Sequence, residues 1–377
     1  MPWKAVVVTS YAACRHVLAD PVYEAVDAAW RDRIAPGWRA NSSVVPMHCA
    51  LPTTNPPAHA ALRKIVTAGL SRQDTAARKD QLAATAGRCL DEVEALLAAY
   101  GSVDLVPALS ERFATESVLT WLGLPVVDAD RLAGLTRRWS VAYELAPSAA
   151  QLADADVAHE ALRTYLLPHL EHRLRAPGDG AISRWLRPAP DGGGLDLAQA
   201  LTETTVLMLG AKDISALITE ALLALLEDPS VGETLRQGPR DASAVAEDIT
   251  RRRPPVSVVT RVTARDTALE GVPIEAGRIV HALIRAAHQD PAATTSSLTF
   301  GAGVHYCPGA PLARLHLETL LPLFACRLPG LRLIAPPTQP EGVAFPHVPR
   351  LLVIGRPAGR TEVCPPRPAA DVALPGR

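Results

Sequence analysis

The chain has no run of about 18 apolar residues, so no membrane-spanning helix is expected. It also has no surplus of either charge. Its 38 Lys and Arg face 39 Asp and Glu, a formal net charge of -1, which speaks against a nucleic-acid binder while leaving room for a local basic patch. No CxxC pair occurs, and the six cysteines, at positions 14, 49, 89, 307, 326 and 364, are scattered. In a chain of 377 residues that pattern reads as reduced thiols, five of them small apolar filler, rather than a disulfide framework. The opening, MPWKAVVVTSYAACRHVL, carries one Lys and only a short apolar run before Thr9. It does not read as a secretory signal, and the cytoplasm is the expected location. No internal repeat is present.

What the chain does have is a composition of 48 % hydrophobic and 20 % charged residues, enough to bury a large core. Apolar residues recur at three- and four-residue spacing over 75–100, 107–123, 155–175, 197–227 and 310–327, which predicts helices. Strand-like stretches are short: 4–8, 257–263, 278–284 and 349–354. Punctuation by 34 Pro and 24 Gly is heavy, and two segments, 30–58 and 176–194, read as loops. The expected fold class is mainly α with small β-sheets, in one domain over 1–356, with 357–377 a disordered tail. The most distinctive segment is 196–227. Asp196 is suited to cap it, and a largely apolar stretch then runs for roughly eight turns. A helix that apolar is buried.

The strongest local pattern is Phe300-Gly301-Ala302-Gly303-Val304-His305-Tyr306-Cys307-Pro308-Gly309, followed at once by a helical run from Ala310. Glycines let a backbone come very close to a flat ligand. A helix starting just past Cys307 turns its amide dipoles toward the sulfur and stabilises a thiolate there. Phe300 can pack over the sulfur and exclude water. This decapeptide resembles the cytochrome P450 signature, Phe-x-x-Gly-x-His/Arg-x-Cys-x-Gly. The resemblance implies that Cys307 is the proximal ligand of a haem b iron, that His305 reaches a haem propionate, and that Phe300 and Gly309 border the cofactor.

Three further segments extend the resemblance, which covers the chain from Val7 to about Gly355. Asn55-Pro56-Pro57-Ala58-His59, with Arg63 four residues on, resembles the family's Asp-Pro-Pro-x-His-x-x-x-Arg, whose His and Arg share a helix face and meet a propionate. Thr260-Arg261 resembles another propionate-binding site. Asp248 and Arg251 stand where the family has Glu-x-x-Arg, a buried ion pair beneath the haem. Asp is one methylene shorter, and Glu247 is an alternative partner for Arg251. The family usually has a longer segment ahead of Val7, and a longer meander than the eight residues Ala292–Thr299.

The apolar helix departs from the family where it matters. Leu209-Gly210-Ala211-Lys212-Asp213-Ile214-Ser215 resembles the central helix, on which an acid followed by Thr relays protons toward dioxygen. Counted back from Asp228-Pro229, Lys212 takes the acid position and Asp213 that of the alcohol; a one-residue slip gives Asp213 and Ile214. Neither register yields an acid followed by Thr. Asp213 delivers protons directly, or substrate or water supplies the hydroxyl, or the reaction is not hydroxylation. A buried Lys212 needs a partner or a shifted pKa.

The resemblance implies a haem-thiolate oxidase with the cytochrome P450 fold, haem lying between two helices, and electrons from a ferredoxin and its reductase. A hydrophobic small molecule or peptide of secondary metabolism is the expected substrate, hydroxylated or oxidatively coupled. Met208, Leu209, Val256, Val258 and Val259 are expected around it, with 30–50, including Trp38, and 140–175 as the lid. A non-catalytic helper binding a partner enzyme, or a peroxide-driven haem enzyme, are the alternatives.

Overall fold

A computed structural model describes residues 5–188, 193–237, 240–293, 296–337 and 340–355; the tail expected after 357 lies outside them. The structure is mostly helical, and its axis is the helix Leu197–Glu227, here the central helix. Its 31 residues span about 46 Å. Asp196 caps it as the sequence predicts, its carboxylate accepting from Gln199 N at 2.7 Å. Hydrophobic positions all round the helix require cover on every side.

Two clusters supply that cover. The C-terminal half, Leu217 to Leu225, packs with helices Lys79–Tyr100 and Ala310–Arg327. The N-terminal half, Ala200 to Ala211, packs with Arg112–Leu122, Ala129–Ser140, Ala149–Arg175 and Ala181–Leu186. Cover thins between the halves: Gly210 and Lys212–Ile214 are only partly buried. A Cβ added at Gly210 would meet nothing within 4 Å, so the helix borders open space there.

The strands are few and short, as expected. A four-stranded sheet runs Val6–Val8, Ile279–Leu283, Val258–Thr263, Tyr23–Glu24, the first pair parallel and the others antiparallel. A three-stranded sheet joins Ser102–Asp104, Leu352–Ile354 and Arg332–Leu333.

The two predicted loops contain more structure than their composition suggests. Segment 30–58 holds the end of the helix Ala28–Ile34, the helix Val45–Cys49 and three single 3-10 turns. Pro46 sits in the first helical turn, where a missing N–H costs nothing. Segment 176–194 contains Ala181–Leu186, whose Ala181, Ile182 and Trp185 are fully buried. The predicted helix 155–175 begins earlier, at Ala149, because Ser148 and Gln151 form a reciprocal capping box.

Candidate active site

The cysteine loop lies at the start of the helix Ala310–Arg327, backed by the helix Tyr11–Ala19. Gly303 has φ +67° and passes so close that an added Cβ would sit 2.8 Å from Ala19 Cα. The loop closes on itself through Cys307 N donating to Phe300 O at 2.8 Å. Phe300 is buried in the same cluster against which Cys307 packs, and the Arg314 guanidinium lies over its ring at 4.5 Å. Burial raises the Cys307 thiol above its ordinary range; the N–H groups of Gly309 and Ala310 pull it down, Asp213 pushes it up, and Arg63 pulls it down. Such a sulfur keeps its proton in a bare protein and yields it to a metal cation. The influence of Asp213 on this thiol shows that the middle of the central helix lies near the loop.

Beside the loop the structure gathers His59, Arg63, Arg261 and His305. The His59 and His305 rings meet edge to face at 4.7 Å. Arg63 spends two donors on the loop itself, on Val304 O at 3.2 Å and Tyr306 O at 2.8 Å. Arg261 is 8 % exposed and bonds only its neighbour's carbonyl, Thr260 O, at 3.1 Å. His59 Nε2, Arg261 Nε and His305 Nδ1 are all buried without a hydrogen-bond partner. Burial, then Arg261, His59 and Arg63, push His305 down to about 3. Burial likewise lowers Arg261 to about 10. A buried Arg261 cation with no carboxylate partner among the described residues, beside unpartnered ring nitrogens of His59 and His305, fits an anion. The two carboxylates of a haem would meet that need, and the Cys307 thiolate would ligate its iron.

Lys212 and Asp213 sit at the break in the central helix. Asp213 keeps 30 % exposure although Ala211, Ser215, Ala216 and Leu217 around it are buried, so its carboxyl faces the internal space. Burial lifts it to about 6 against the opposing pull of Lys212. Lys212 Nζ lies 3.9 Å from Asp213 Oδ1 and 3.4 Å from Phe345 O, with the Phe345 ring centroid 5.3 Å away. Burial pushes this lysine below its usual range, and Asp213 and Glu144 hold it up. Serine 215 is buried on the far side, and no hydroxyl follows Asp213.

Other expectations are corrected. Arg251 and Asp248 are 3.5 Å apart but 37 % and 46 % exposed, not a buried pair. Glu247 is not the partner of Arg251: it turns to Arg314, 2.8 Å away on the helix after the cysteine. A more buried ion pair nearby is Arg253, partly buried, with buried Glu220 of the central helix, 3.0 Å apart, and Arg253 also holds Glu227 at 2.6 Å. Met208 has no exposed surface and Leu209 only 7 %; both pack into the helical cluster, not an open pocket. Val258 is buried and Val259 packs against the cluster under the first sheet. Successive strand residues face opposite ways, so the two valines cannot line one cavity. Val256 is partly buried.

The two segments expected as a lid do meet. Ser43 O accepts from Trp139 Nε1 at 2.8 Å and from Tyr143 OH at 2.6 Å. Asp156 accepts from Ser43 N at 2.8 Å and Asn41 Nδ2 at 2.9 Å. Trp38 lies at the margin, donating to Asp32 at 2.9 Å. Glu203, 1 % exposed on the central helix, accepts from Leu51 N at 3.1 Å and Gln199 Nε2 at 2.7 Å. No sequence pattern distinguishes Glu203, Asp156 or Glu144, because each holds main-chain N–H groups far along the chain.

Fold and site together fit a thiolate-ligated haem protein. The chain belongs to the cytochrome P450 family and is an oxidoreductase with a haem-iron cofactor. It is 32 % identical to erythromycin C-12 hydroxylase of Saccharopolyspora erythraea over 285 residues, 71 % of this chain and 70 % of that protein. It is 29 % identical to mycinamicin IV hydroxylase/epoxidase of Micromonospora griseorubida, over 89 % of this chain and 85 % of that protein. Nocardicin C N-oxygenase of Nocardia uniformis is 28 % identical over 88 % of this chain and 84 % of that protein. Among solved structures, P450BioI with a ligated acyl carrier protein superposes with a TM-score of 0.84 at 21 % identity, covering 94 % of this chain and 92 % of that one. A mutant of P450 EryK with erythromycin B gives 0.77 at 26 % identity, covering 94 % and 92 %. No family model matches the chain. Among the described residues, no helix is long and apolar enough to cross a membrane.

Proposed function

We propose that this enzyme inserts oxygen into a hydrophobic secondary metabolite at a haem b held by Cys307, with Asp213 as the proton donor. Haem supplies the iron at which dioxygen is reduced and cleaved, helped by electron density from the thiolate. The residues of this chain do the rest. Arg261, His59 and His305 anchor the propionates and Arg63 braces the loop. Gly309 and Ala310 N–H groups steady the sulfur, and Phe300 keeps water from it. Asp213 holds a proton at its carboxyl facing the open space, and with a pKa near 6 both forms are populated around neutrality. Hydroxylation, epoxidation and N-oxygenation in the names of the relatives support oxygen insertion over coupling. Electrons would come from a ferredoxin and its reductase.

The observation that carries this reading is the Cys307 loop at the head of a helix, electrostatically close to Asp213 and beside the buried cation Arg261, which has no carboxylate partner among the described residues. The test is the spectrum of the reduced, carbon-monoxide-treated protein. A strongly red-shifted Soret band is expected, and Cys307→Ser should lose it while the protein stays folded. A wild-type protein that takes up no haem would overturn the reading and favour a non-catalytic helper. Turnover with peroxide but not with ferredoxin would replace the electron-transfer part alone.

A further inference from the structure

The turn 341–347 arrives at the distal side carrying a set of groups that the haem chemistry leaves unused. Glu341 and His347 pair across it, each N–H donating to the other's carbonyl at 3.0 Å. The Glu144 carboxylate grips the turn from outside, accepting from Val343 N at 2.8 Å, Ala344 N at 2.9 Å and Phe345 N at 3.2 Å. Gly342, at φ +85°, makes that grip possible: a Cβ there would lie 2.6 Å from Glu144 Oε1.

The titratable groups on this turn form a graded series from surface to site. Glu341 is 69 % exposed and lies 3.9 Å from His347 Nε2. The His347 side chain is 19 % exposed, and its Nδ1 is buried with no well-directed hydrogen bond. The main-chain group acting on that ring is Phe345, whose carbonyl also receives Lys212 Nζ at 3.4 Å. Lys212 in turn is 3.9 Å from Asp213 Oδ1. We propose that protons reach Asp213 from the surface along this turn, through His347 and Lys212. The proposal rests on Asp213 being the donor, and it replaces the alcohol that the central helix lacks.

Each transfer balances. Asp213 gives its proton into the site and becomes a carboxylate. The Lys212 ammonium, 3.9 Å from Asp213 Oδ1, closes that distance by side-chain motion, restores the proton and becomes an amine. His347, with Nε2 protonated beside Glu341, returns the Nδ1 proton to the amine, and the side chain then rotates to bring the bare Nδ1 to solvent, where it takes up the next proton before turning back. Burial lowers both bases toward the working range: His347 through burial and then the Lys212 charge, with Phe345 and Glu341 pulling upward and Arg137 downward; Lys212 through burial, opposed by Asp213 and Glu144.

The experiment compares the variants D213N, K212M, K212R and H347Q of the haem-loaded enzyme. It reads the fraction of electrons that end in product, the solvent isotope effect, and the His347 ring titration by NMR in the ferrous carbon-monoxide form. Arg at 212 keeps the charge but does not release a proton. Expected are at least a tenfold loss of coupled turnover in K212M, K212R and H347Q alike, and an upward shift of the His347 titration in K212M. Full coupling in K212R would make Lys212 a fixed charge and overturn the path. So would a His347 titration indifferent to K212M, since the two groups would not face each other. If D213N uncouples but the other three turn over normally, the path fails and Asp213 stands. If D213N itself stays coupled, the donor assignment fails first.

Discussion

At the scale of single residues, the site depends on burying charge beside groups that can neutralise it. Glu203 shows the cost when the neutraliser is only hydrogen bonds. Burial raises its carboxyl from 4.5 to about 7, against the pull of Gln199 and Leu51. Below the lower value native and unfolded chains both hold the proton. Between the two values the native chain holds it and the unfolded one does not, so stability falls as pH rises, by roughly 3 kcal/mol in all. E203Q keeps an oxygen for Leu51 N–H and removes the ionisation. Urea denaturation at pH 5 and pH 8 should show the variant losing about 2.5 kcal/mol less than wild type over that interval; parallel losses would show that Glu203 stays neutral throughout. Residues such as Glu203 were invisible in the sequence, whereas Cys307, His305, His59 and Arg63 were legible. A metal ligand and its loop must be contiguous, and a helix face repeats every three or four positions. The partner of Glu247 was misjudged because Arg314 lies 67 positions away, beyond any local spacing rule.

At the scale of elements, long helices were read correctly because each repeats its apolar period over several turns. Short ones were missed: Ala181–Leu186 is six residues long, too brief for a period to show. It is nevertheless tightly placed. Gly180, at its start, has an ordinary φ of -72°, yet an added Cβ would stand 2.3 Å from Leu122 O and 2.5 Å from Gly123 Cα. Those are backbone atoms and cannot yield cheaply. G180A should therefore cost roughly 1–3 kcal/mol in thermal or urea denaturation. Gly134, inside the helix Ala129–Ser140, meets nothing within 4 Å. G134A should stabilise by about 0.5–1 kcal/mol in the same measurement. Equal effects of the two changes would show that packing at Gly180 is looser than its geometry.

At the scale of the whole molecule, the central helix is the shared wall of both large clusters, and Ile214 touches each of them. Asp213 and Cys307 are therefore both held by one scaffold, while the segments around Ser43 and Trp139 are separate pieces joined by hydrogen bonds. The clasp of Ser43 by Trp139 and Tyr143 has an optical consequence. Trp139 is wholly buried, donates its indole N–H to that carbonyl, and stacks at 5.5 Å on His159. Were the segment around Ser43 to swing away when a substrate enters, the indole would exchange a protein carbonyl for water and its emission would move to the red. In that event the shift in emission reports entry, and W139F should remove it.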